Sequence, residues 1–534
     1  MDFREHIERL DKMGKLVRIK SLVSKDTELM PLVRLQFRGL PEEERKAFFF
    51  GNVTDAKGKR YAIPVVVGAL AASKEIFAIG IRATPETIRE KLVNAQLHPI
   101  PPELVNRGVC QEEVHVGGSL KEHGGLEEFP VPISTPGFDK APYTSFSHLI
   151  TKDPDTGKVN IGNYRSQMKS PTLMGVMVHP TQHIGIHWAK CRKRGKPLQA
   201  ALVIGTDPAI SFAANSKIPY EAEEYAVAGG VVGEPIKVVK CKTVDIEVPD
   251  SAEIVVEGLI TTEYFEPEAP FGENTGYMGY EMMNPFYEIT AITHRKNPIF
   301  GGIISQFPPS ESTKMRQISY ESSYYAFLRY ACNISGILDV AFHETGGGSR
   351  FCVIRMRKTS RSQPWQALNA AVSFDAAIGK IFIVVDEDID PRDPDAVHWA
   401  LATRMQPDRD LRIREGRTVM LDYSAIPPGI VGEGEGKLYP EPTGASALVI
   451  DATLKWDYPP VCLPEKKYME KAIEIWKAEG LPPLKLKAPW YGYSLGFWTK
   501  ENEETARWAV EGDYVRCGEK DKGRRRKVEE CPRR

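Results

Sequence analysis

The chain has 534 residues, more than one hydrophobic core normally accommodates, so two or three domains are expected. Hydrophobic residues make up 42% and charged residues 26% of the sequence, the balance of a globular protein rather than a disordered or fibrous one. The 70 Lys and Arg residues nearly equal the 71 Asp and Glu residues. The formal net charge of -1 provides no field that would attract nucleic acid or an anionic membrane, so neither is an expected partner.

The sequence also carries signals about location. Residues 1–18 predict an amphipathic helix and lack the apolar core and cleavage site of a secretory signal. The longest stretch without formal charge, residues 170–189, contains Pro180, Gln182 and three histidines and is too polar for a membrane span. Eight cysteines are scattered without a CxxC pair, which indicates free thiols in a reducing compartment. A cytoplasmic protein is expected.

The predicted elements change in character along the chain. Short apolar runs rich in Val and Ile dominate residues 146–307 and predict strands, with helices inserted at residues 183–193 and 220–228. Residues 319–331 have a helical period and few turn residues, which predicts a connecting helix. The following segments are a helix over residues 367–379, a strand over 381–390 and a helix over 395–405. This alternation predicts a second domain of the α/β class.

The C-terminal tail is basic. From Asp521 onwards it carries seven basic and three acidic side chains, together with Pro and Gly. This composition is typical of a solvated chain end, and contact with a polyanion or a partner protein is the alternative.

Three local motifs could carry chemistry, and each also has an ordinary structural interpretation. The first is the stretch NIGNYR from Asn160 to Arg165, in which a turn precedes an Arg. That guanidinium could bind a carboxylate or a phosphate through two parallel hydrogen bonds. The ordinary interpretation is a surface turn that ends in a solvated Arg.

The second motif spaces His179, His183 and His187 at intervals of four residues. On a helix His183 and His187 would share a face, as in a zinc site, but the Glu of the HExxH zinc motif is missing. Pro180 and Gln182 instead indicate a helix start that puts His183 in the first turn, where free N–H groups favour a bound phosphate. Structural histidines are the alternative.

The third motif, EPEAPFGENTGY, contains Glu268 and Glu273. Five positions apart, they would face opposite sides of a strand and would not be neighbours on a helix. A turn at Pro270 and Gly272 could bring both carboxylates to one cavity, where burial and mutual repulsion would raise one pKa towards that of a useful proton donor. A solvated acidic loop is the alternative.

Together these motifs resemble the UbiD family of prenylated-flavin decarboxylases. The resemblance rests on Asn160 with Arg165, on Gln182 and His183, on the AEEYAVAGG segment that holds Glu224, and on EAPFGENTGY. The order and spacing are similar to those of the ferulic acid decarboxylase branch. Similarity continues through KIFIVVDEDIDPRDPDAVHWALATRM and LVIDATLKW, so it spans the chain from the N-terminal helix to about residue 480.

The resemblance implies a cofactor and metal ions. Prenylated FMN would be bound, and a divalent ion, Mn2+ or Mg2+, would join its phosphate to Asn160, His183 and Glu224. Amide, imidazole and carboxylate groups form a mixed ligand set that such an ion accepts. A potassium ion near the phosphate is also implied. The cofactor would be contacted by Asn160, Ile161, Gly162, Asn163, Tyr164, Arg165, Gln182, His183, Ala214, Asn215, Ser216, Glu224 and Lys380.

The resemblance also implies a reaction, the reversible non-oxidative decarboxylation of a carboxylic acid with release or uptake of CO2. Arg165, Glu268 and Glu273 would be the catalytic residues of a Glu-Arg-Glu network in which Glu273 donates the proton. Flavin prenyltransferase would supply the cofactor. Departures at Asn274 and Thr275 leave aromatic, heteroaromatic and α,β-unsaturated acids as candidate substrates, and the DATLK segment favours an aromatic or polycyclic acid.

The implied fold class is α/β (α+β), with a central split β-barrel that binds the flavin and a helix that joins it to a C-terminal α/β domain. A homodimer or higher homo-oligomer is implied as well. The expected boundaries are residues 1–115 for an N-terminal α/β segment packed on the cofactor domain, 116–315 for the cofactor and metal domain, 316–335 for the connecting helix, 336–490 for the C-terminal oligomerisation domain and 491–534 for a final helix and basic tail.

Three other functions are consistent with the sequence alone. The first is an ordinary FMN-dependent reductase on a split β-barrel, which would hold unmodified FMN. The second is a metallohydrolase that uses the cluster of His179, His183 and His187 with zinc. The third is a non-catalytic scaffold or cofactor-storage protein.

Overall fold

The computed structural model describes residues 1–180, 182–417, 421–425 and 445–526. Short helices and short strands alternate in the N-terminal region. They are α1 (Phe3–Lys12), β1 (Leu16–Ile19), β2 (Val23–Ser24), α2 (Leu29–Gly39), β3 (Ala47–Phe50), β4 (Val53–Thr54), β5 (Arg60–Tyr61), β6 (Val65–Val67), α3 (Lys74–Gly80), α4 (Ile88–Leu97), β7 (Glu103–Leu104), β8 (Glu113–Val116) and α5 (Gly118–Glu122).

The first helix is amphipathic, as its sequence predicts, but it is shorter than expected. Asp2 caps it by accepting a hydrogen bond from the backbone of Glu5, whose side chain accepts one from the backbone of Asp2 in return. The buried face includes Phe3 and Leu10. The helix ends at Lys12 because the chain turns at Gly14, which has a φ of 69°. Strand β1 then occupies the rest of the predicted helical segment.

The central region contains β9 (Tyr143–Thr144), β10 (Ser147–Lys152), β11 (Val159–Gly162), β12 (Ser166–Ser170), β13 (Leu173–Val176), α6 (His183–Lys193), β14 (Leu198–Ile204), α7 (Pro208–Asn215), α8 (Glu224–Val232), β15 (Lys237–Lys240), β16 (Glu247–Pro249), β17 (Ile254–Glu268), β18 (Met282–His294) and β19 (Phe300–Gly302). The bounds of α6 are those predicted. Helix α8 begins four residues later than predicted, with Glu224 as its first residue.

A nine-stranded sheet organises the central region. Its strands follow the order β11-β10-β14-β17-β18-β13-β12-β9, and β8 pairs with β18 beyond this path. Strands β17 and β18 form a long antiparallel pair whose register shifts twice, so the pair is irregular between its buried start and its end at Glu268. Strand β8 spans the boundary expected at residue 115. Apart from most of β8, this sheet lies within residues 116–315, for which the sequence predicts the flavin-binding domain.

The C-terminal region begins with α9 (Glu311–Ala326), which continues into one π-helical turn (Phe327–Ala331). It is followed by β20 (Ile337–Phe342), β21 (Phe351–Met356), α10 (Gln363–Phe374), β22 (Ile381–Asp386), α11 (Pro394–Arg404), α12 (Pro407–Asp410), β23 (Leu411–Arg414), β24 (Ala447–Ala452), α13 (Lys466–Ala478), α14 (Lys500–Val510) and α15 (Tyr514–Lys522). Five strands form a sheet in the order β20-β21-β22-β24-β23. Residues 527–534 of the predicted basic tail lie outside the described residues.

Helix α9 starts earlier than the sequence predicts. Ser310 caps it, since its hydroxyl accepts a hydrogen bond from the backbone N–H of Thr313. The carboxylate of Glu311 is fully buried and accepts hydrogen bonds from the backbone of Gly68 and Leu70. These contacts attach α9 to the N-terminal region. As a result, one helix bridges the N-terminal, central and C-terminal regions.

Packing divides the described chain into one large core and two smaller ones. The large core joins the N-terminal and central regions, for example through the stacked rings of Phe77 and Phe212, 3.8 Å apart. In the C-terminal sheet, neighbouring Val353 and Ile354 belong to different cores, so that sheet is covered on both faces. This architecture agrees with the predicted α/β class. Among the described helices, none combines the length and apolar character needed to cross a membrane.

Candidate active site

A cavity of about 620 Å3 opens between the central region and α9. Its wall is formed by the end of β11 and the turn after it, the first residue of α6, the last residues of α7, the first residue of α8 and one face of α9. Twelve of the residues predicted to contact a cofactor line it: Asn160, Ile161, Gly162, Asn163, Tyr164, Arg165, Gln182, His183, Ala214, Asn215, Ser216 and Glu224.

The turn after β11 is held in place by close packing. A Cβ at position 162 would lie 2.3 Å from the ring of Tyr164, so only Gly fits beside that ring in its present position. Asn163 forms a hydrogen bond with the buried ring of His148, whose other nitrogen is bonded to Ser211. The turn therefore presents Tyr164 and Arg165 to the cavity from a fixed backbone.

We expect Gly162→Ala to disturb this wall, because the added methyl group forces the ring of Tyr164 out of its position. The protein should lose about 1–3 kcal/mol of unfolding free energy, measured by chemical denaturation. Gly39→Ala is the matched control, since a Cβ at Gly39 meets no atom within 4 Å. Equal stability of the two variants would contradict the close packing inferred at Gly162.

Arg165 connects two buried carboxylates. Its Nε and Nη2 atoms donate to Glu268 at 3.0 and 2.8 Å, which is a bidentate contact, and its Nη1 atom donates to Glu273. The side chain of Glu268 is fully buried, and those of Arg165 and Glu273 are 8% and 9% exposed. The sequence predicted a turn at Pro270 and Gly272, but the chain continues past β17 and reverses only at residues 273–277, after the bridge of Gly272 with Met278. Both glutamates still reach the same guanidinium.

The acidity of Glu273 is set by its surroundings. Burial raises the pKa of its carboxyl above the usual value of 4.5, while the positive charges of Arg165 and Arg316 act in the opposite direction. Arg316 lies on α9 and also lines the cavity. Glu273 is therefore a carboxyl group at the cavity wall whose proton is held more firmly than that of an exposed Glu.

Asn160, His183 and Glu224 line the cavity, and each offers a group that a divalent ion accepts. Burial lowers the pKa of His183, and the charge of Lys217 lowers it further, so the imidazole is neutral near pH 7 with a lone pair available. The amide nitrogen of Asn160 is buried without a hydrogen-bond partner among the described residues. Rotation of that amide would present its oxygen at the same place.

Glu224 is the most informative of the three. It is 4% exposed, and its carboxylate accepts a hydrogen bond of 3.0 Å from the backbone N–H of Ile161. Burial raises its pKa to about 8. A divalent ion beside this carboxyl would favour its ionised form and compensate its buried charge. The donor set of Asn160, His183 and Glu224 thus fits a metal such as Mn2+ or Mg2+ in its chemistry.

The other histidines of the HPTQHIGIH motif have different surroundings. His187 is buried on α6 and forms a hydrogen bond of 3.0 Å with Thr151. His179 lies before the helix, and burial lowers its pKa to about 4. In the described part of the chain, His179, His183 and His187 do not converge as ligands of one metal. This geometry disfavours the zinc hydrolase that the spacing left open.

Lys380 was predicted to contact the cofactor, but it does not line the cavity. Its ammonium group is held by Asp422 at 2.9 Å and by the hydroxyl of Ser424 at 2.5 Å, and it is not part of the cavity wall. The residue immediately precedes β22, and the prediction rested on the family resemblance carried over to this position. A carboxylate in the segment 421–425 provides the ion pair instead.

Several cavity residues on α9 and after it were not predicted from the sequence. Ser312, Arg316 and Tyr320 line the cavity at intervals of four residues, a helical spacing that places them on one face. Phe327 and Phe374 add two aromatic rings. The interval was visible in the sequence, but nothing in the sequence indicated that this face of the helix meets the cavity.

Comparisons with known proteins identify the family of the chain. A model of the 3-octaprenyl-4-hydroxybenzoate carboxy-lyase Rift-related domain matches residues 103–308. A model of the C-terminal domain of the same carboxy-lyase, UbiD, matches residues 314–452. The two matches cover more than half of the chain and are separated by residues 309–313, where α9 begins.

Relatives match over nearly the whole chain. An uncharacterized protein of Synechocystis is 32% identical over 462 residues, which cover 81% of this chain and 88% of the relative. The structure of the UbiD-class enzyme HmfF from Pelotomaculum thermopropionicum, in complex with prFMN, is 30% identical with a TM-score of 0.75, covering 89% of this chain and 99% of HmfF. Vanillic acid decarboxylase from Sedimentibacter hydroxybenzoicus is 25% identical with a TM-score of 0.75 and the same coverage. The chain therefore belongs to the UbiD family of decarboxylases, which are carboxy-lyases.

Proposed function

We propose that this protein catalyses the reversible decarboxylation of an aromatic or heteroaromatic carboxylic acid with the help of prenylated FMN. The observation that carries the proposal is the contact of Arg165 with both Glu268 and Glu273 at the wall of a cavity that also holds Asn160, His183 and Glu224. The match to HmfF covers 99% of the HmfF chain, and HmfF is in complex with prFMN, which supports the choice of cofactor.

Asn160, His183 and Glu224 would hold Mn2+ or Mg2+, which would bind the phosphate of the cofactor. The first turn of α6 lies beside them, and free N–H groups at a helix start favour a phosphate. Lys217, which lines the same cavity, brings a positive charge to this part of the wall. A potassium ion near the phosphate belongs to the same proposal.

The bound prenylated flavin would accept the electron pair that remains when CO2 leaves, a task that no side chain performs well. Arg165 keeps its bidentate contact with Glu268 and leaves one N–H group for Glu273. Glu273, protonated, gives its proton from a carboxyl oxygen to the carbon that lost CO2. In the direction of carboxylation, the ionised Glu273 takes a proton from the same carbon.

The lining also indicates the kind of acid. Aromatic surface in the cavity comes from Phe327, Phe374 and Tyr320. The ring centre of Phe271 also lies 5.8 Å from Cζ of Arg165. Aromatic rings pack favourably on such surfaces. These contacts favour a ring-bearing acid over a short α,β-unsaturated one.

The decisive experiment is expression together with a flavin prenyltransferase, followed by a screen of aromatic and heteroaromatic acids for CO2 release. Mass spectrometry of the extracted cofactor should give prenylated FMN. Full turnover with unmodified FMN would instead support an ordinary flavin reductase. Absence of turnover with every acid, although prenylated FMN is bound, would support a cofactor-storage protein.

Removal of the charge on Arg316 should shift the pH dependence of the reaction. The positive charge lowers the pKa of Glu273, so Arg316→Gln raises that pKa. Decarboxylation needs the protonated carboxyl and fails as the pH rises through its pKa, so the alkaline limb of kcat moves to higher pH in the variant. Arg316→Lys, which keeps the charge, should retain the wild-type limb. An identical limb in Arg316→Gln would argue against Glu273 as the proton donor.

The same proposal includes a homodimer or higher homo-oligomer. Helix α13 has no buried residue, and Ile475 and Trp476 on it are 56% and 36% exposed. Apolar side chains of this size, exposed together, are typical of surfaces that bind a partner. Light scattering during gel filtration measures the mass, and a monomer at micromolar concentration would contradict this part of the proposal.

A further inference from the structure

Three histidines and one glutamate form a cluster outside the cavity. They are His115 on β8, His123 directly after α5, Glu128 at the end of the 3-10 turn Gly125–Glu128, and His294 at the end of β18. None of these four lines the cavity of the proposed active site. We call them the histidine cluster.

The donor atoms of the histidine cluster are close to one another. Nε2 of His115 lies 3.1 Å from Nε2 of His294, and Oε1 of Glu128 lies 3.5 Å from Nε2 of His294. Ligand atoms of His115, His123 and Glu128 all lie within 4.8 Å of one another. Ligands that bind a tetrahedral zinc ion at about 2.0–2.2 Å are roughly 3.3–3.6 Å apart. The distances of 3.1 and 3.5 Å are near this spacing, and the 4.8 Å limit places His123 within reach of the same ion.

The tautomer of His294 can be read from its second nitrogen. Nδ1 lies 2.8 Å from the backbone carbonyl oxygen of Arg295, to which it must donate a hydrogen bond. The neutral ring then carries its lone pair on Nε2, the atom that faces His115 and Glu128. Histidines that bind metals commonly donate their other N–H to a backbone carbonyl in this manner.

We propose that the histidine cluster binds one Zn2+ ion. Imidazole nitrogen and carboxylate oxygen are ligands that zinc prefers. His115, His123 and Glu128 supply three of them, and His294 lies beside His115 and Glu128. His123 is exposed and Glu128 partly so, which gives the ion access from solvent, whereas His115 and His294 are buried. The ion would tie the segment from β8 to residue 128 onto the end of β18.

The test measures zinc binding by the full-length chain carrying Glu224→Gln, which weakens the separate site proposed in the cavity. Zinc would be added to metal-free protein and its affinity measured by competition with a chromogenic chelator. We expect one zinc ion per chain, and at least about 10-fold weaker binding when His123→Asn or Glu128→Gln is added. His98→Asn, at an exposed histidine after α4, is the control and should bind zinc normally.

A second measurement separates a metal site from a purely structural contact. Zinc should raise the thermal unfolding midpoint of the His98→Asn control but not that of His123→Asn, because an ion that binds only the folded state stabilises it. His123 is exposed, so its replacement leaves the core intact. Wild-type zinc affinity in His123→Asn and Glu128→Gln, or no zinc bound to the control, would overturn the proposal.

Discussion

Glu273→Gln should lower the rate of CO2 release by about 100- to 10,000-fold, the usual contribution of a positioned general acid. The amide keeps the shape of the side chain and can still accept a hydrogen bond from Arg165, so the cavity wall should remain intact. It cannot deliver a proton. Flavin content, metal content and the thermal unfolding midpoint should stay close to wild type, while kcat collapses.

A matched control is available at Glu266 on β17, seven positions before Glu273. Glu266 pairs with Lys169 and its side chain is 38% exposed, so Glu266→Gln should leave kcat unchanged. If Glu273→Gln turns over as fast as Glu266→Gln, the proton comes from another group and the proposed mechanism is wrong. Loss of bound flavin in Glu273→Gln would mean that the carboxylate supports the cofactor rather than the proton transfer.

Glu224→Ala should bind the divalent metal at least about 10-fold more weakly than wild type. Losing a residue that only hydrogen-bonds to a metal ligand already costs about 10-fold in affinity, and losing a ligand itself should cost more. Cofactor retention should fall with it, because the metal would join the cofactor phosphate to the protein. Elemental analysis and flavin absorbance of the purified protein measure both quantities. His183→Ala should behave in the same way.

The control for this experiment is Glu234→Ala, an exposed carboxylate just beyond the end of the same helix. It should retain full metal and flavin content. Normal contents in Glu224→Ala as well would remove Glu224 from the metal site. We expect Glu224→Ala to remain folded. Burial raises the pKa of this carboxyl to about 8, and replacing it with Ala removes the cost of burying it.

Local sequence signals predicted an element correctly where its structure depends mainly on its own residues. The start of α6 at His183 follows from the Pro180 and Gln182 that precede it, and its bounds are those predicted. The class of the C-terminal region follows from its alternation of helix and strand. The connecting helix was expected to start at residue 316, five positions too late, because its cap at Ser310 lies before the segment with a clear helical period.

Contacts between distant segments could not be derived from spacing. The segment that connects Glu268 to Glu273 is short, but the partner that contacts both carboxylates, Arg165, lies about 100 positions earlier. In the same way, nothing in the sequence brings His294 beside His115, since the sheet pairing of β8 with β18 creates that contact. Lys380 shows the reverse case, where a plausible position is occupied by an ion pair with Asp422 instead.

The cavity draws its wall from two stretches of the chain that correspond to separate family domains. All proposed metal ligands and both glutamates come before residue 308, while Arg316, Tyr320, Phe327 and Phe374 follow it. Evolution can therefore alter which acid is accepted by changing the second stretch, without touching the residues that would hold the metal and move the proton. Swapping that stretch between relatives is a direct way to transfer substrate preference.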